Sequence, residues 1–253
     1  MINKEIRYIV DEGNSLVKMA AYQGENWLFF NSSEMFSDTF LINFLNKIEA
    51  KNDRSEKPKL IFSSVRKDVT SQLQLLSLYF HVLHFTHQTD IPIVNLYETP
   101  ETLGKDRLAA VIGAAGIFPQ KNSLVIDAGT CITYDFIDRE QKYLGGGVMP
   151  GLLMNLKALH TFTDNLPLIS LGLASSLCGK NTTEAILAGS VNAIVLGLDA
   201  VIDQFRQMYP ALKVILCGGD AKLLHNNLKN DTFAELKLVL YGLKQILDFN
   251  EDS

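Results

Sequence analysis

One turn is written twice in this chain. YIVDEGNSLVKM at residues 8–19 and VIDAGTCITYDF at 125–136 each run apolar residues, Asp, one residue, Gly, a small polar residue, then apolar residues again. A strand–turn–strand unit that returns at half-chain spacing asks for two α/β domains of the same make, which excludes most other folds for a chain of 253 residues.

The segments around each turn repeat in the same order. EIRYIV (5–10), residues 15–22 and NWLFF (26–30) read as three short strands. MFSDTFLINFLNKIEA (35–50) is a helix with Phe36, Phe40, Phe44 and Ile48 on one face. KNDRSEKPK (51–59) is a polar loop, LIFSSV (60–65) a buried strand, and Lys67 to Tyr79 a helix. HVLHFT and IPIVNLY read as two further strands, and a helix rich in small residues spans Asp106 to Phe118. At Ser123 the order restarts with SLVIDA, ITYDFID and a short KYLGG. PGLLMNLKALHTF and the long region 182–209 are helical, LKVILCGG is a strand, and AELKLVLYGLKQIL is a closing amphipathic helix. The reading is β-β-β-α-β-α twice, as domains 1–118 and 119–253, with a central cleft between them.

Several function classes fall away on composition. A net charge of −5 argues against a chain whose task is gripping nucleic acid, because phosphate neutralisation needs a basic face. No apolar run reaches the roughly 18 residues of a spanning helix, so no membrane segment is expected. Cys131, Cys178 and Cys217 are far apart and make no metal spacing, which reads as buried reduced thiols in a cytoplasmic protein. His81, His84, His87, His160 and His225 show no ligand spacing and read as structural or surface residues.

The motifs each carry two readings. DEGN alone is an ordinary hairpin turn with Gly13 at positive φ. Alternatively Gly13, Asn14 and Ser15 offer backbone N–H groups to a phosphate, Asp11 binds a metal or its water, and Lys18 reaches the anion. DAGT shifts the balance, because two such turns can hold the two ends of a polyphosphate. Thr130 then adds a hydroxyl beside Gly129, and Asp127 sits at a strand end. CGGDAKLL (217–224) is a strand-to-helix turn capped by Asp220, or a flat seat for a base or ribose on Gly218 and Gly219. In GKDR (104–107), Asp106 is either a helix cap or an acceptor for an alcohol proton, and Arg107 a surface charge or a bidentate partner for a carboxylate. In GKNT (179–182), Asn181 or Thr182 caps the long helix or greets an anion there. Three glycines in YLGGGVMPG ask for a close backbone approach.

Taken together, DEGN, DAGT and CGGDA resemble the phosphate and adenosine turns of the actin and sugar-kinase superfamily of ATPases. With GKDR, Tyr97 seven residues before Gly104, YLGGGVMPGLLMNLKAL, LP at 166–167 and GKNT, the chain resembles a type III pantothenate kinase over nearly its whole length. The resemblance implies duplicated ribonuclease H-like (actin-like ATPase) domains and transfer of phosphate from ATP to pantothenate, the entry to coenzyme A. It implies ATP contacts from the first turn (Asp11, Glu12, Gly13, Asn14, Ser15, Leu16, Val17 and Lys18) and from Thr130, Gly218 and Gly219. It implies Asp106 as general base, with Tyr97, Gly104, Lys105, Asp106, Arg107 and Thr182 at pantothenate. Asp127 would ligate K⁺ or NH₄⁺, Mg²⁺ would arrive with ATP, and a homodimer would build the acceptor site at its interface. The Ala/Gly-rich helix from Asp106 is the candidate for that interface. Glu12 and Ser15 depart from the family, where an apolar residue and Thr are usual. Glu12 would oppose phosphate unless it points to solvent. A sugar kinase of the same superfamily, or a non-catalytic nucleotide-binding relative, are the other readings.

Overall fold

The computed structural model describes residues 5–48 and 57–251. Two compact units emerge: Met1–Val94 with Glu98–Gly116 and Val239–Ser253, and Asn95–Tyr97 with Ile117–Leu238. The chain therefore crosses to the second unit at residue 117 and returns to the first with its closing helix.

The first unit contains β1 (Ile6–Glu12), β2 (Val17–Gln23), β3 (Asn26–Ser33), α1 (Asp38–Ile48), β4 (Lys59–Ser64), α2 (Thr70–Tyr79) and β5 (His81–His84). After a two-residue strand, β6 (Val94–Asn95), it adds α3 (Lys105–Ile117). Its sheet runs β3-β2-β1-β4-β5, with β1–β2 and β2–β3 antiparallel and β1–β4 and β4–β5 parallel. In the second unit come β7 (Ser123–Ala128), β8 (Cys131–Ile137), β9 (Lys142–Pro150) and α4 (Leu152–Thr161), followed by α5 (Thr182–Leu187). A π-helical turn (Ala188–Asn192) joins α5 to α6 (Ala193–Met208), and β10 (Lys213–Cys217), α7 (Ala221–Asn227) and β11 (Phe233–Ala234) follow. Here the sheet runs β11-β10-β7-β8-β9-β6. Leaving β6 aside, the order is the same as in the first: a three-stranded meander whose first strand pairs in parallel with the fourth. The chain closes with α8 (Leu238–Glu251). The duplication read in the two turns is a duplication of sheets.

Local sequence explains the elements. Ser37 caps α1, its hydroxyl accepting the Phe40 N–H at 3.1 Å, so the helix starts at Asp38 and Phe36 stands before it. Phe40 and Phe44 of the expected stripe are buried with Leu41 and Leu45 against Tyr8, Val10, Met19 and Phe62; the Ile48 side chain lies outside the described residues, as does most of the 51–59 loop. Ile9, Ala20 and Ile61 are buried too, so the central strands are covered on both faces. β9 is longer than the expected KYLGG because it continues through all three glycines. A Cβ on Gly146 would fall 1.7 Å from the Tyr134 carbonyl oxygen, and one on Gly147 would fall 2.4 Å from the Tyr134 ring. Those glycines let β9 lie against Tyr134 of β8.

Three expectations are corrected. Thr182–Met208 forms a helix of 27 residues that is long and apolar enough, by length and composition, to cross a membrane. Its apolar face instead belongs to the core of the second unit, through Ile186, Val191, Ile194, Val195, Leu198 and Ile202. Asp199, near its middle, is buried and accepts the Lys229 and Asn230 N–H groups, both at 3.1 Å. The small residues of α3 do not form an open face, because Arg107 through Ala115 are all buried within the chain. Ala109 lies directly against Gly242 of α8, so the chain's own closing helix uses the surface expected for a partner. Finally, only Cys217 of the three cysteines is buried; Cys131 is half-buried and Cys178 exposed.

Candidate active site

Asp11 and Glu12 are the last residues of β1, and their neighbours follow from register. Asp11 stands between Lys18 of β2 and Ser63 of β4; Glu12 stands between Val17 and Ser64. Paired residues share a face of the sheet, so Lys18, Asp11 and Ser63 form one row while Glu12 and Ser64 face the other way. Asp11 is buried, with Lys18 Nζ 3.9 Å from its carboxylate. Ser63 Oγ is buried without a hydrogen-bond partner among the described residues. Between the strands, Gly13 donates its N–H to the Leu16 carbonyl at 3.0 Å, leaving Asn14, Ser15 and Leu16 exposed at the tip. Two expectations change here. Gly13 is not at positive φ, unlike Gly24, Gly145 and Gly218, and its N–H is spent closing the turn.

Glu12 does not point to solvent. It is 3% exposed. Ser64 Oγ donates to its carboxylate at 2.7 Å, Gln72 Nε2 donates at 3.3 Å, and Arg66 Nε lies 3.7 Å away. Ser64 also ties this cluster to GKDR, because Lys105 Nζ donates to the Ser64 carbonyl at 3.1 Å. Burial holds the Lys105 ammonium below the usual lysine pKa. Asp106 lies inside the first turn of α3, which opens one residue earlier at Lys105. It is therefore not the N-cap; its carboxylate accepts the Arg107 N–H at 2.9 Å. A Cβ on Gly104 would sit 2.6 Å from Asp106 Oδ1, so that glycine makes room for the carboxylate. Arg107 is buried rather than a surface charge. Within one unit the fold thus gathers Asp11, Glu12, Ser63, Ser64 and Lys105 at the carboxyl ends of two parallel strands, where open α/β sheets bind ligands. Sequence reading missed Ser63, Ser64, Arg66 and Gln72. Two serines ending an otherwise apolar strand were the signal.

In the second unit DAGT and CGGDA come together. Asp127 is the last residue but one of β7, beside Thr133 and Cys217, and the Asp220 N–H donates to the Ala128 carbonyl at 2.9 Å. Gly129 closes its turn onto the Cys131 carbonyl at 3.0 Å, and Thr130 is exposed. Gly151, just before α4, approaches the turn so closely that a Cβ would lie 2.3 Å from the Thr130 carbonyl oxygen. Gly218 has φ +90° and would place a Cβ 2.4 Å from Asp127 Oδ1. Its open side is therefore filled by the protein, not left for a base. Gly219 differs, with nothing within 4 Å of a Cβ. Gly218→Ala is expected to cost about 1–3 kcal/mol from left-handed strain and overpacking, while Gly219→Ala leaves stability unchanged. Thermal melts of the two variants test this, and equal melting temperatures would refute it. Asp220 takes the N-cap position of α7 without a side-chain capping bond, and burial raises its pKa.

GKNT opens α5. The Asn181 side chain accepts the Glu184 N–H at 2.9 Å, and Glu184 accepts the Lys180 N–H at 3.0 Å, so capping is carried by Asn181 and Thr182 is the first helical residue. Lys180, Asn181 and Thr182 border an open cavity of about 900 Å³ with Asn155 and Phe162. Tyr97 stacks on Tyr143 at 6.1 Å and belongs to the second unit, whereas Gly104–Arg107 belong to the first. No group of three His, Cys, Asp or Glu residues able to hold a metal occurs among the described residues. A cation at Asp11 or Asp127 would have to complete its shell with oxygens from a bound ligand and water.

Two ribonuclease H-like sheets with Asp-Gly turns at their carboxyl ends define an actin-like ATPase or sugar-kinase fold. Solved structures agree: a Campylobacter jejuni protein described as of the Baf family is 21% identical with TM-score 0.64, covering 97% of this chain and 100% of that one. MreB 5 of Spiroplasma citri, bound to AMPPNP, is 12% identical with TM-score 0.51, covering 98% and 97%. The sequence profile of type III pantothenate kinase matches residues 8–204. The type III pantothenate kinase of Bacteroides fragilis is 41% identical, covering 96% of this chain and 97% of its own. That of Phocaeicola vulgatus is 39% identical, covering 96% and 98%. The chain belongs to the type III pantothenate kinase family.

Proposed function

We propose that this chain transfers the γ-phosphoryl group of ATP to the primary hydroxyl of pantothenate, the first step of coenzyme A biosynthesis. The observation that carries the reading is near full-length similarity to type III pantothenate kinases in a chain that carries DEGN, GKDR, DAGT and GKNT. Asp106 takes the alcohol proton as the oxygen attacks phosphorus. Phosphoryl transfer leaves little covalent work to the protein, so a positioned carboxylate and electrostatic support are enough. The exposed tip Asn14–Leu16 and Thr130 contact the nucleotide phosphates, and the open Gly219 admits the adenosine. Lys105, Arg107, Tyr97 and Thr182 hold pantothenate, whose carboxylate asks for a cationic partner.

The fit to cations is supported by donor chemistry. Asp11, with the orphaned Ser63 hydroxyl in its row, suits a hydrated Mg²⁺ carried by ATP. Asp127 suits K⁺ or NH₄⁺, which would offset phosphate charge when bound. A homodimer with the acceptor site at its interface and a cytoplasmic location complete the proposal. Purified chain incubated with ATP, Mg²⁺ and pantothenate should form phosphopantothenate, faster with K⁺ than with Na⁺. No product under either condition overturns the reading.

A further inference from the structure

The Glu12 cluster stands apart from the roles assigned so far. A carboxylate this well buried, one residue from a phosphate turn, is unfavourable unless it is paired and hydrogen-bonded. Its partners form a closed ring. Arg66 donates its N–H to Ser64 Oγ at 3.0 Å, Ser64 Oγ donates to Glu12 at 2.7 Å, and Glu12 returns to the Arg66 Nε at 3.7 Å. Val65 adds a backbone bond to the Glu12 carbonyl at 3.0 Å. Arg66 is thus linked to Glu12 at the end of β1 through its Nε and, by way of its own N–H, through the Ser64 hydroxyl of β4. Its side chain is nonetheless 49% exposed, and Nη1 and Nη2 have no partner among the described residues. Pinning a guanidinium through Nε leaves its two outer nitrogens as the fork that grips a phosphate.

We propose that Arg66 is a nucleotide-phosphate ligand of the first turn, and that Glu12 is a positioning residue which orients it and cancels its own charge against it. This rests on the reading of DEGN as a phosphate turn. It also explains how a negative residue is tolerated there: Glu12 enters as one half of a neutral pair whose other half faces the ligand. A purely structural clamp would fix the loop after β4 equally well, so the test must separate substrate affinity from folding.

With full-length protein, ATP is titrated at saturating pantothenate and pantothenate at saturating ATP. Arg66→Gln is expected to raise KM for ATP about tenfold, the loss of one charge-assisted contact, with KM for pantothenate unchanged; the melting temperature falls because Glu12 loses its counter-charge, so kinetics are read well below it. Arg66→Lys should restore part of the loss. Glu12→Gln keeps the shape of the ring but removes its charge; it should raise KM for ATP about threefold, and the double variant should be no worse than Arg66→Gln alone. An unchanged KM for ATP in Arg66→Gln, or a change in KM for pantothenate instead, overturns the proposal. Should Glu12→Gln fail to fold, Arg66→Gln decides alone. Calorimetric binding of Mg·ATP without pantothenate separates this inference from the acceptor assignment. Weakened binding in Arg66→Gln supports it even where wild type forms no phosphopantothenate, and equal binding sinks it.

Discussion

Asp106→Asn is expected to lower kcat for phosphopantothenate formation by about 10²–10⁴-fold, with both KM values and the melting temperature close to wild type. The substitution is isosteric and removes one capability. The Asn carbonyl oxygen can still accept the Arg107 N–H that Asp106 accepts at 2.9 Å, so the first turn of α3 keeps its local bond. Gly104, whose missing side chain leaves space beside Asp106 Oδ1, accommodates the amide equally well. A neutral amide, however, cannot take the proton from the attacking alcohol. Steady-state kinetics with both substrates varied, set beside a thermal melt, separates these terms. Wild-type kcat in a folded variant would remove the general-base role from Asp106. A large loss confined to KM would reassign it to binding.

The second large effect is on stability. Gly242→Ala is expected to destabilise the chain by about 3 kcal/mol, the upper end for overpacking, and to lower the melting temperature by roughly 6–12 °C. The added Cβ would fall 1.8 Å from the Ala109 carbonyl oxygen and 2.6 Å from its carbon. Both are backbone atoms inside α3 and cannot rotate away, so α8 would have to shift as a body. Its anchors oppose that movement. Tyr22 donates to Asp248 at 2.8 Å, Lys244 bonds Asp248 at 3.0 Å and Glu25 at 3.2 Å, and Arg7 pairs with Asp248 and Glu251. Burial, then the Asp248 carboxylate, pushes the Tyr22 hydroxyl pKa far up, which keeps that donor protonated. Gly116→Ala meets only the far end of the Gln245 side chain, which can swing aside, and should cost less. Gly197→Ala, in α6 with nothing within 4 Å, should be neutral or stabilising by up to about 1 kcal/mol. Chemical denaturation of the three variants reads the order, and a Gly242→Ala variant as stable as Gly197→Ala would refute the close helix contact.

Much of the fold was legible because it rests on short-range pattern. The two Asp-Gly turns, each followed by a meander, announced two sheets of one order, and Phe40 and Phe44 announced the face α1 buries. GKNT marked the start of the long helix, with Asn181 or Thr182 as its cap, and Asn181 is the cap. Roles that depend on what lies opposite a residue were not legible. Nothing in the local sequence says that Gly218 is filled by Asp127 while Gly219 is open, or that Gly13 spends its N–H on its own turn.

The sequence by itself determined the duplicated strand order and the identities of the chemical groups at the strand ends, because alternation, turn chemistry and capping act over a few residues. Tertiary structure alone decided three things: that Glu12 turns inward to Ser64 and Arg66, that Lys105 brings GKDR to the end of β4, and that α8 returns to the first unit. Each depends on contacts between residues far apart in the chain. The small residues of α3 show the difference most plainly. Their size could be read as permission for close approach, but only the folded chain revealed that the neighbour is its own last helix.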